Sequence, residues 1–226
     1  GGTASYLDIR GVNQGSGSVC QEGNGLEFSN IGGTSALSAT ANRVHVVGYQ
    51  MVGIVFNGNL TVSATSCSTV GGGWFNDANL VDQVGMQFAY GAHGTAKSNS
   101  VNGMWYPALG WSSYGQLTFE TVGMTLASND VSNALAGIAL EAWGSVAPVA
   151  NGNTISGNRI TDSMWGITVQ AYTLGQGLSV MNSSCSSNKI TSNTLTNTAF
   201  QGDTGITHGA GYDLGGEGTG FTPTAV

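Results

Sequence analysis

Short alternations of apolar and polar residues recur along the chain, and they recur in a fixed order. One unit reads Gly, apolar, any residue, apolar. It appears as Gly25-Leu26-Glu27-Phe28, Gly53-Ile54-Val55-Phe56, Gly85-Met86-Gln87-Phe88, Gly137-Ile138-Ala139-Leu140 and Gly166-Ile167-Thr168-Val169, and more weakly as Gly205-Ile206-Thr207-His208. The successive glycines are 28, 32, 52, 29 and 39 residues apart. The long gap is two steps of 26, so a further unit belongs inside it, with Gly103-Met104-Trp105-Tyr106 and Gly123-Met124-Thr125-Leu126 as candidates. A second unit, Asn, any residue, apolar, precedes several of the first: Asn42-Arg43-Val44, Asn129-Asp130-Val131, Asn158-Arg159-Ile160 and Asn193-Thr194-Leu195. Two of these double at a spacing of five residues, with Asn153-Thr154-Ile155 before Asn158 and Asn188-Lys189-Ile190 before Asn193.

Alternation over two to four positions is strand periodicity, not helix periodicity. Each run is fenced by Gly, Asn, Ser or Asp and is too short for a sandwich strand. Two or three short strands per period describe one turn of a β-solenoid, in which each coil pairs with the coils above and below it at ~4.8 Å. Alternate residues then stack in columns inside a narrow core. Asn and Gly take the corners, where left-handed backbone is tolerated and Asn side chains can ladder. A β-sandwich with irregular loops accounts poorly for the repeated order. A period of ~26 residues predicts roughly seven to nine coils in an all-β chain. The expected organisation is a single domain over 1–226, with irregular residues 1–24 and a Gly-rich segment 209–226.

Composition narrows the function classes. With 5 Lys and Arg against 12 Asp and Glu, net charge is -7, and no basic face for phosphates can be built. Nucleic acid is therefore not an expected partner. Charged residues are only 8% of the chain, too few for a helical bundle, while 40% apolar content argues against disorder. The most apolar stretch, Val44 to Phe56, is too short and too polar to span a bilayer. The sequence opens on Gly1, as a processed or truncated chain would. Few Lys and abundant Gly, Asn and Thr point to an extracellular or cell-surface location. Cys20, Cys67 and Cys185 lack metal-ligand spacing, and either one disulfide with a free thiol or three buried thiols fits them.

The order Asn-any-Ile followed by Gly-Ile-any-Val, carried best by residues 129–140 and 153–169, resembles the repeat of right-handed parallel β-helix proteins of the pectate-lyase-like superfamily. The resemblance covers about two thirds of the chain and implies fold more than activity. That group includes polysaccharide lyases and hydrolases, sugar epimerases, phage tailspikes, adhesins and metal-loading periplasmic proteins. A lyase of the group is expected to cluster Asp for calcium beside an Arg or Lys base. A hydrolase is expected to place two or three acids on adjacent coils.

Neither set is legible. If the apolar residues of the first unit face inward, the outward positions are Glu27, Val55, Gln87, Ala139, Thr168 and Thr207, then Ser29, Asn57, Ala89, Glu141, Gln170 and Gly209. Glu27 and Glu141 are the acids among them, several coils apart. Arg43, Arg159, Lys97 and Lys189 read as solvated turn residues. Asp77 and Asp82, near Trp74 and Asn79, read as turn acids that could border a calcium or sugar site. His45, His93 and His208 are isolated, so no metal ligand set, no cofactor and no catalytic residue is assigned. The aromatic run Trp105, Tyr106, Trp111 and Tyr114 breaks the repeat and is the candidate carbohydrate or subunit contact. A solenoid also leaves two open strand edges, which invite end-to-end pairing into a homo-oligomer. The expected function is a non-catalytic structural subunit of a surface fibre or filament. The alternatives are a polysaccharide-binding or polysaccharide-cleaving β-helix, as a lyase or glycoside hydrolase, and a phage tailspike-type fibre.

Overall fold

The two recurring units are strands on different walls of one parallel β-helix. A computed structural model describes residues 1–12, 23–73, 83–104, 113–142, 149–171, 185–196, 198 and 210–214. Coil one holds β1 (Gly2–Ser5), β2 (Asp8–Arg10) and β3 (Leu26–Asn30). Coil two holds β4 (Leu37–Asn42), β5 (His45–Val47) and β6 (Val52–Gly58), and coil three β7 (Leu60–Thr65), β8 (Ser68–Val70) and β9 (Val84–Ala89). Coil four holds β10 (His93–Lys97), β11 (Ser100–Met104) and β12 (Tyr114–Phe119). In coils five and six, β13 (Met124–Ala127) and β15 (Thr154–Ser156) are followed by the long strands β14 (Asp130–Ala142) and β16 (Arg159–Ala171), each of which bends to serve two walls. Coil seven holds β17 (Lys189–Thr191), β18 (Thr194–Thr196) and β19 (Ala210–Leu214).

The first face is the seven-stranded parallel sheet β1-β4-β7-β10-β13-β15-β17. The second runs β2-β5-β8-β11 into the first halves of β14 and β16 and on to β18. The third runs β3-β6-β9-β12 into their second halves and on to β19. Among the described residues every pairing is parallel, and the seven coils they form lie within the expected range. β1 and β2 fall inside the segment 1–24 expected to be irregular, and β19 falls inside 209–226.

The Gly-apolar-x-apolar unit is the third face. Leu26, Ile54, Met86, Gln116, Ile138 and Ile167 are in register as one column, and Phe28, Phe56, Phe88, Thr118, Leu140 and Val169 as the next. Phe28, Phe56 and Phe88 stack nearly parallel at 5.1 and 5.4 Å between ring centroids. The unit expected in the long gap is thus Gly115-Gln116-Leu117-Thr118. Gly103 lies in β11 on the second face, and Gly123 immediately precedes β13 on the first. Polar residues at the two inward positions hid the true member. In coil seven, Tyr212 and Leu214 pair with Ile167 and Val169, so the unit there is Gly211-Tyr212-Asp213-Leu214. The weak match at Gly205 lies outside the described residues.

The glycine of the unit is required by space. A Cβ on Gly53 would sit 2.6 Å from the Gly85 carbonyl oxygen and 2.7 Å from Thr69 Cγ2. Gly25, Gly85, Gly115 and Gly137 meet the next glycine's carbonyl oxygen and a second-face Val or Ile in the same way. The corner closes only if the inward column of the second face can press on bare backbone.

The Asn unit marks corners. Between the first and second faces the chain always turns in two residues, such as 98–99, 128–129 and 157–158. The first of the pair is left-handed throughout, from φ 53° at Arg43 and Ser128 to 64° at Gly157. The second is Asn99, Asn129, Asn158 and Asn193 in coils four to seven. The Oδ1 of Asn129, Asn158 and Asn193 accepts the backbone N–H and the side-chain N–H of the Asn one coil earlier, at 2.9–3.0 Å, and Asn99 Oδ1 accepts the Cys67 N–H at 2.9 Å. Asn153 and Asn188 form a second ladder where the third face returns to the first, which explains the five-residue doublets. Asn42 is the exception. It ends β4, and Val44 occupies the ladder slot in that coil, as Cys67 does in coil three.

Gln116 is the weak point of the core. It is fully buried, its Oε1 has no hydrogen-bond partner, and its Nε2 has only Met86 Sδ at 3.7 Å. An orphaned buried acceptor costs about 1–3 kcal/mol. Gln116→Met, matched to its neighbour in the column, should therefore raise stability by roughly 1–2 kcal/mol in urea titrations.

Candidate functional site: the outer side of the third face

The three corners of the helix carry very different lengths of chain. Turns from first to second face are two residues in every coil. Connections from second to third face include 11–25, 71–83, 105–113 and 197–209, and those from third to first include 143–153 and 172–188. All the long connections therefore leave the helix at the two corners that border the third face. Binding residues concentrate on such segments when a rigid scaffold holds them.

The outer side of this face is not bland. Val52, Val55, Val84, Leu117 and Ala139 are buried there although they point away from the helix interior, and Met51, Tyr114 and Phe119 pack on them. Of the expected outward positions, Val55, Ala139, Thr168 and Glu141 are buried, and Thr207 and Gly209 lie outside the described residues. Thr168 is 2% exposed and its hydroxyl has no hydrogen-bond partner. Beside the apolar patch, Gln87 Nε2 donates to Asn57 Oδ1 at 3.0 Å across two coils. Glu27 is exposed and accepts from Asn24 at 2.9 Å.

Two acidic residues are backbone neighbours at the rim. Phe119 pairs with Glu141, so Glu120, the next residue along, stands beside it on the adjacent coil, and the Glu120 N–H donates to the Glu141 carbonyl at 2.9 Å. Glu141 is 4% exposed. Burial holds the Glu120 carboxyl above the usual carboxylate range. Tyr90, one coil earlier at the same corner, is pushed up by burial and then by Glu120. Its ring meets Phe119 edge-on at 5.3 Å. Both Tyr90 (φ 56°) and Glu120 (φ 54°) are left-handed, an uncommon conformation for bulky side chains that marks a constrained corner.

The raised Glu120 value has a definite sign. The unfolded carboxyl ionises first as pH rises, so the fold loses stability between the ordinary and the raised pKa and does not regain it above them. Glu120→Gln should be the more stable protein at pH 7, and its advantage should vanish near pH 3, read as urea midpoints.

Of the sequence candidates, Tyr114 is half-buried on the patch in register with Val84 and Ala136. Trp105, Tyr106 and Trp111 lie outside the described residues, as do Asp77, Asp82, His208 and Cys20. Cys67 and Cys185 are buried free thiols. Burial pushes both up, Cys185 to about 12 with Glu141 adding to the effect. His45 bonds Ser68 on the second face, and His93 bonds Thr61 at 3.1 Å on the first. Arg43 is a turn residue over the Tyr6 ring, but Arg159 opens β16 and pairs with Asp130. Lys97 and Lys189 are strand residues of the first face. Among the described residues no three His, Cys, Asp or Glu side chains group as metal ligands, and no helix is long and apolar enough to cross a membrane. Glu120 was missed because coil four carries no apolar signature to place it.

Residues 97–222, more than half of the chain, match the family described as "Protein of unknown function (DUF1565)". The chain belongs to this family. No curated protein and no solved structure matches it. The DUF1565 region carries Tyr114, Phe119, Glu120, Glu141, Thr168 and Gln170, while Glu27, Asn57, Gln87 and Tyr90 continue the same face on the preceding coils.

Proposed function

We propose that this DUF1565 chain is a carbohydrate-directed β-helix of the pectate-lyase-like kind, working outside the cell or at its surface, with the third face as its sugar-binding wall. The observation that carries this reading is the confinement of every long connection to the two corners flanking that wall. The wall supplies what a pyranose needs: aromatic area at Tyr90, Tyr114 and Phe119, and an amide pair at Asn57 and Gln87. Glu120, half-buried at the rim, adds a carboxyl that can accept hydrogen bonds from sugar hydroxyls. Trp105 and Trp111 belong to the connection 105–113 that joins β11 to β12 in sequence.

Incubation with insoluble glucan, mannan and xylan should retain the protein. The Trp105→Ala, Trp111→Ala double variant should lose at least ten-fold in retention. Failure of the parent protein to bind any polysaccharide would defeat the reading.

The fibre reading keeps one observation of its own. β1, β2 and β3 pair on one side only, and so do β17, β18 and β19, which leaves open strand edges at both ends of the described stack. Coil-on-coil stacking of copies predicts regular filaments in electron micrographs. A strict monomer in light scattering at high concentration would contradict it.

A further inference from the structure

The charges on the third face identify the sugar class. All five Lys and Arg side chains are within the described residues, and none is on that face. Arg10 is on β2 and pairs with Asp8 at 3.0 Å, Arg159 is on β16 before its bend and pairs with Asp130, and both belong to the second face. Lys97 on β10 and Lys189 on β17 belong to the first face. Arg43 sits at the corner between those two faces, over Tyr6. The third face and its rim carry Glu27, Glu120 and Glu141 instead. Two of these are wholly or partly withdrawn from solvent, where like-charge repulsion is least screened.

A polyuronate presents a carboxylate on every residue, and its recognition relies on cationic partners arranged along the groove. Here such a chain would lie over carboxylates with its nearest protein cations on other walls. A neutral chain meets no such penalty. Its ring faces can cover Tyr90 and Phe119, which stand edge to face at 5.3 Å. Its hydroxyls can bond the half-buried Asn57–Gln87 pair, whose mutual bond uses one donor of Gln87 and one acceptor of Asn57. Acidic side chains also accept hydrogen bonds from sugar hydroxyls, so Glu27 and Glu120 become assets with a neutral ligand.

Resting on the carbohydrate reading above, we infer that the third face takes an uncharged glycan chain and rejects polyuronates. Native gels cast with a linear glucan, a mannan or an unsubstituted xylan, and parallel gels with polygalacturonate or alginate, test this at low ionic strength. The full chain should be retarded by at least one neutral polymer and run unretarded in both polyuronates. Gln87→Ala and Tyr90→Asn should each weaken the retardation five-fold or more; Asn at position 90 tolerates the left-handed backbone, so a folded variant is expected. Circular dichroism of both variants verifies the fold. Retardation by a polyuronate, relieved by salt, would overturn the inference and leave the carbohydrate reading standing. No retardation in any gel would remove the carbohydrate reading itself.

Discussion

Asn129→Ala is expected to destabilise the protein by about 3 kcal/mol, among the largest losses for any single side chain on a corner. Asn129 is buried, and its amide makes four bonds at once. Its Oδ1 accepts from Asn99 N at 3.0 Å and from Asn99 Nδ2 at 3.0 Å. Its Nδ2 donates to Ala96 O at 3.1 Å and to Asn158 Oδ1 at 3.0 Å. Truncation leaves the Asn99 N–H without its acceptor inside the stack and removes one bond each from Asn99 Nδ2 and Ala96 O. Each such orphan costs about 1–3 kcal/mol. Asn193, the last ladder member among the described residues, is half-exposed, so bulk solvent can replace part of what its truncation removes. Asn193→Ala should therefore cost only ~1 kcal/mol. Urea unfolding of both variants checks the gradient; equal losses at the two positions would argue that the ladder does not act as a chain of bonds.

Gly53→Ala should be comparably severe, at about 3 kcal/mol, although it adds a single carbon. The new Cβ would stand 2.6 Å from the Gly85 carbonyl oxygen, which is backbone of the next coil, and 2.7 Å from Thr69 Cγ2. Neither can rotate away: the carbonyl belongs to the stack, and a β-branched side chain has a stiff χ1. Thr69→Ala in the same molecule removes the Cγ2 contact and should return part of the loss, leaving the carbonyl contact and the contact at 2.9 Å with the Cβ of residue 69. The two effects should thus be non-additive, which a double-mutant cycle measures. Gly11 is the contrast. A Cβ there meets nothing within 4 Å, but its φ of 67° makes Ala strained, so a smaller loss is expected, from backbone conformation alone.

These positions also show what the sequence made legible. The third face was readable because Gly, apolar, any, apolar states two physical demands at once: bare backbone at the corner and two inward columns. The coil at 115–118 was not, because Gln116 and Thr118 satisfy the geometry without the apolar signature. Thr118 settles its hydroxyl on Ala139 O at 3.1 Å, while Gln116 leaves Oε1 unpaired. The Asn ladders were readable in coils five to seven, where every member is Asn. Asn99 went unrecognised, and Asn42 misled by two residues because Val44 and Cys67 fill the ladder slot without hydrogen-bonding side chains. Short polar signals mark a corner only where the same side chain repeats in the coil above or below.

The site was harder to read for the same reason. Glu141 stood at a recognised outward position, but its neighbour Glu120 becomes a neighbour only once β12 is set in register with β14. With coil four unplaced, the acids looked solitary. Val55, Ala139, Thr168 and Glu141 stand at recognised outward positions and are nonetheless buried. Alternation along a strand specifies which side a residue faces, not whether that side meets water. That second fact emerges only after all three walls are assigned.

Amide chemical-shift mapping of the 22.9 kDa chain with cellohexaose, mannohexaose or xylohexaose tests the central claim, that the third face is the working wall. Shifts should concentrate on residues 54–57, 84–90, 114–120, 136–142 and 165–170, on successive coils of that wall. Shifts concentrated on the strands of the first face, around 61–65, 93–97 and 124–127, would contradict the account.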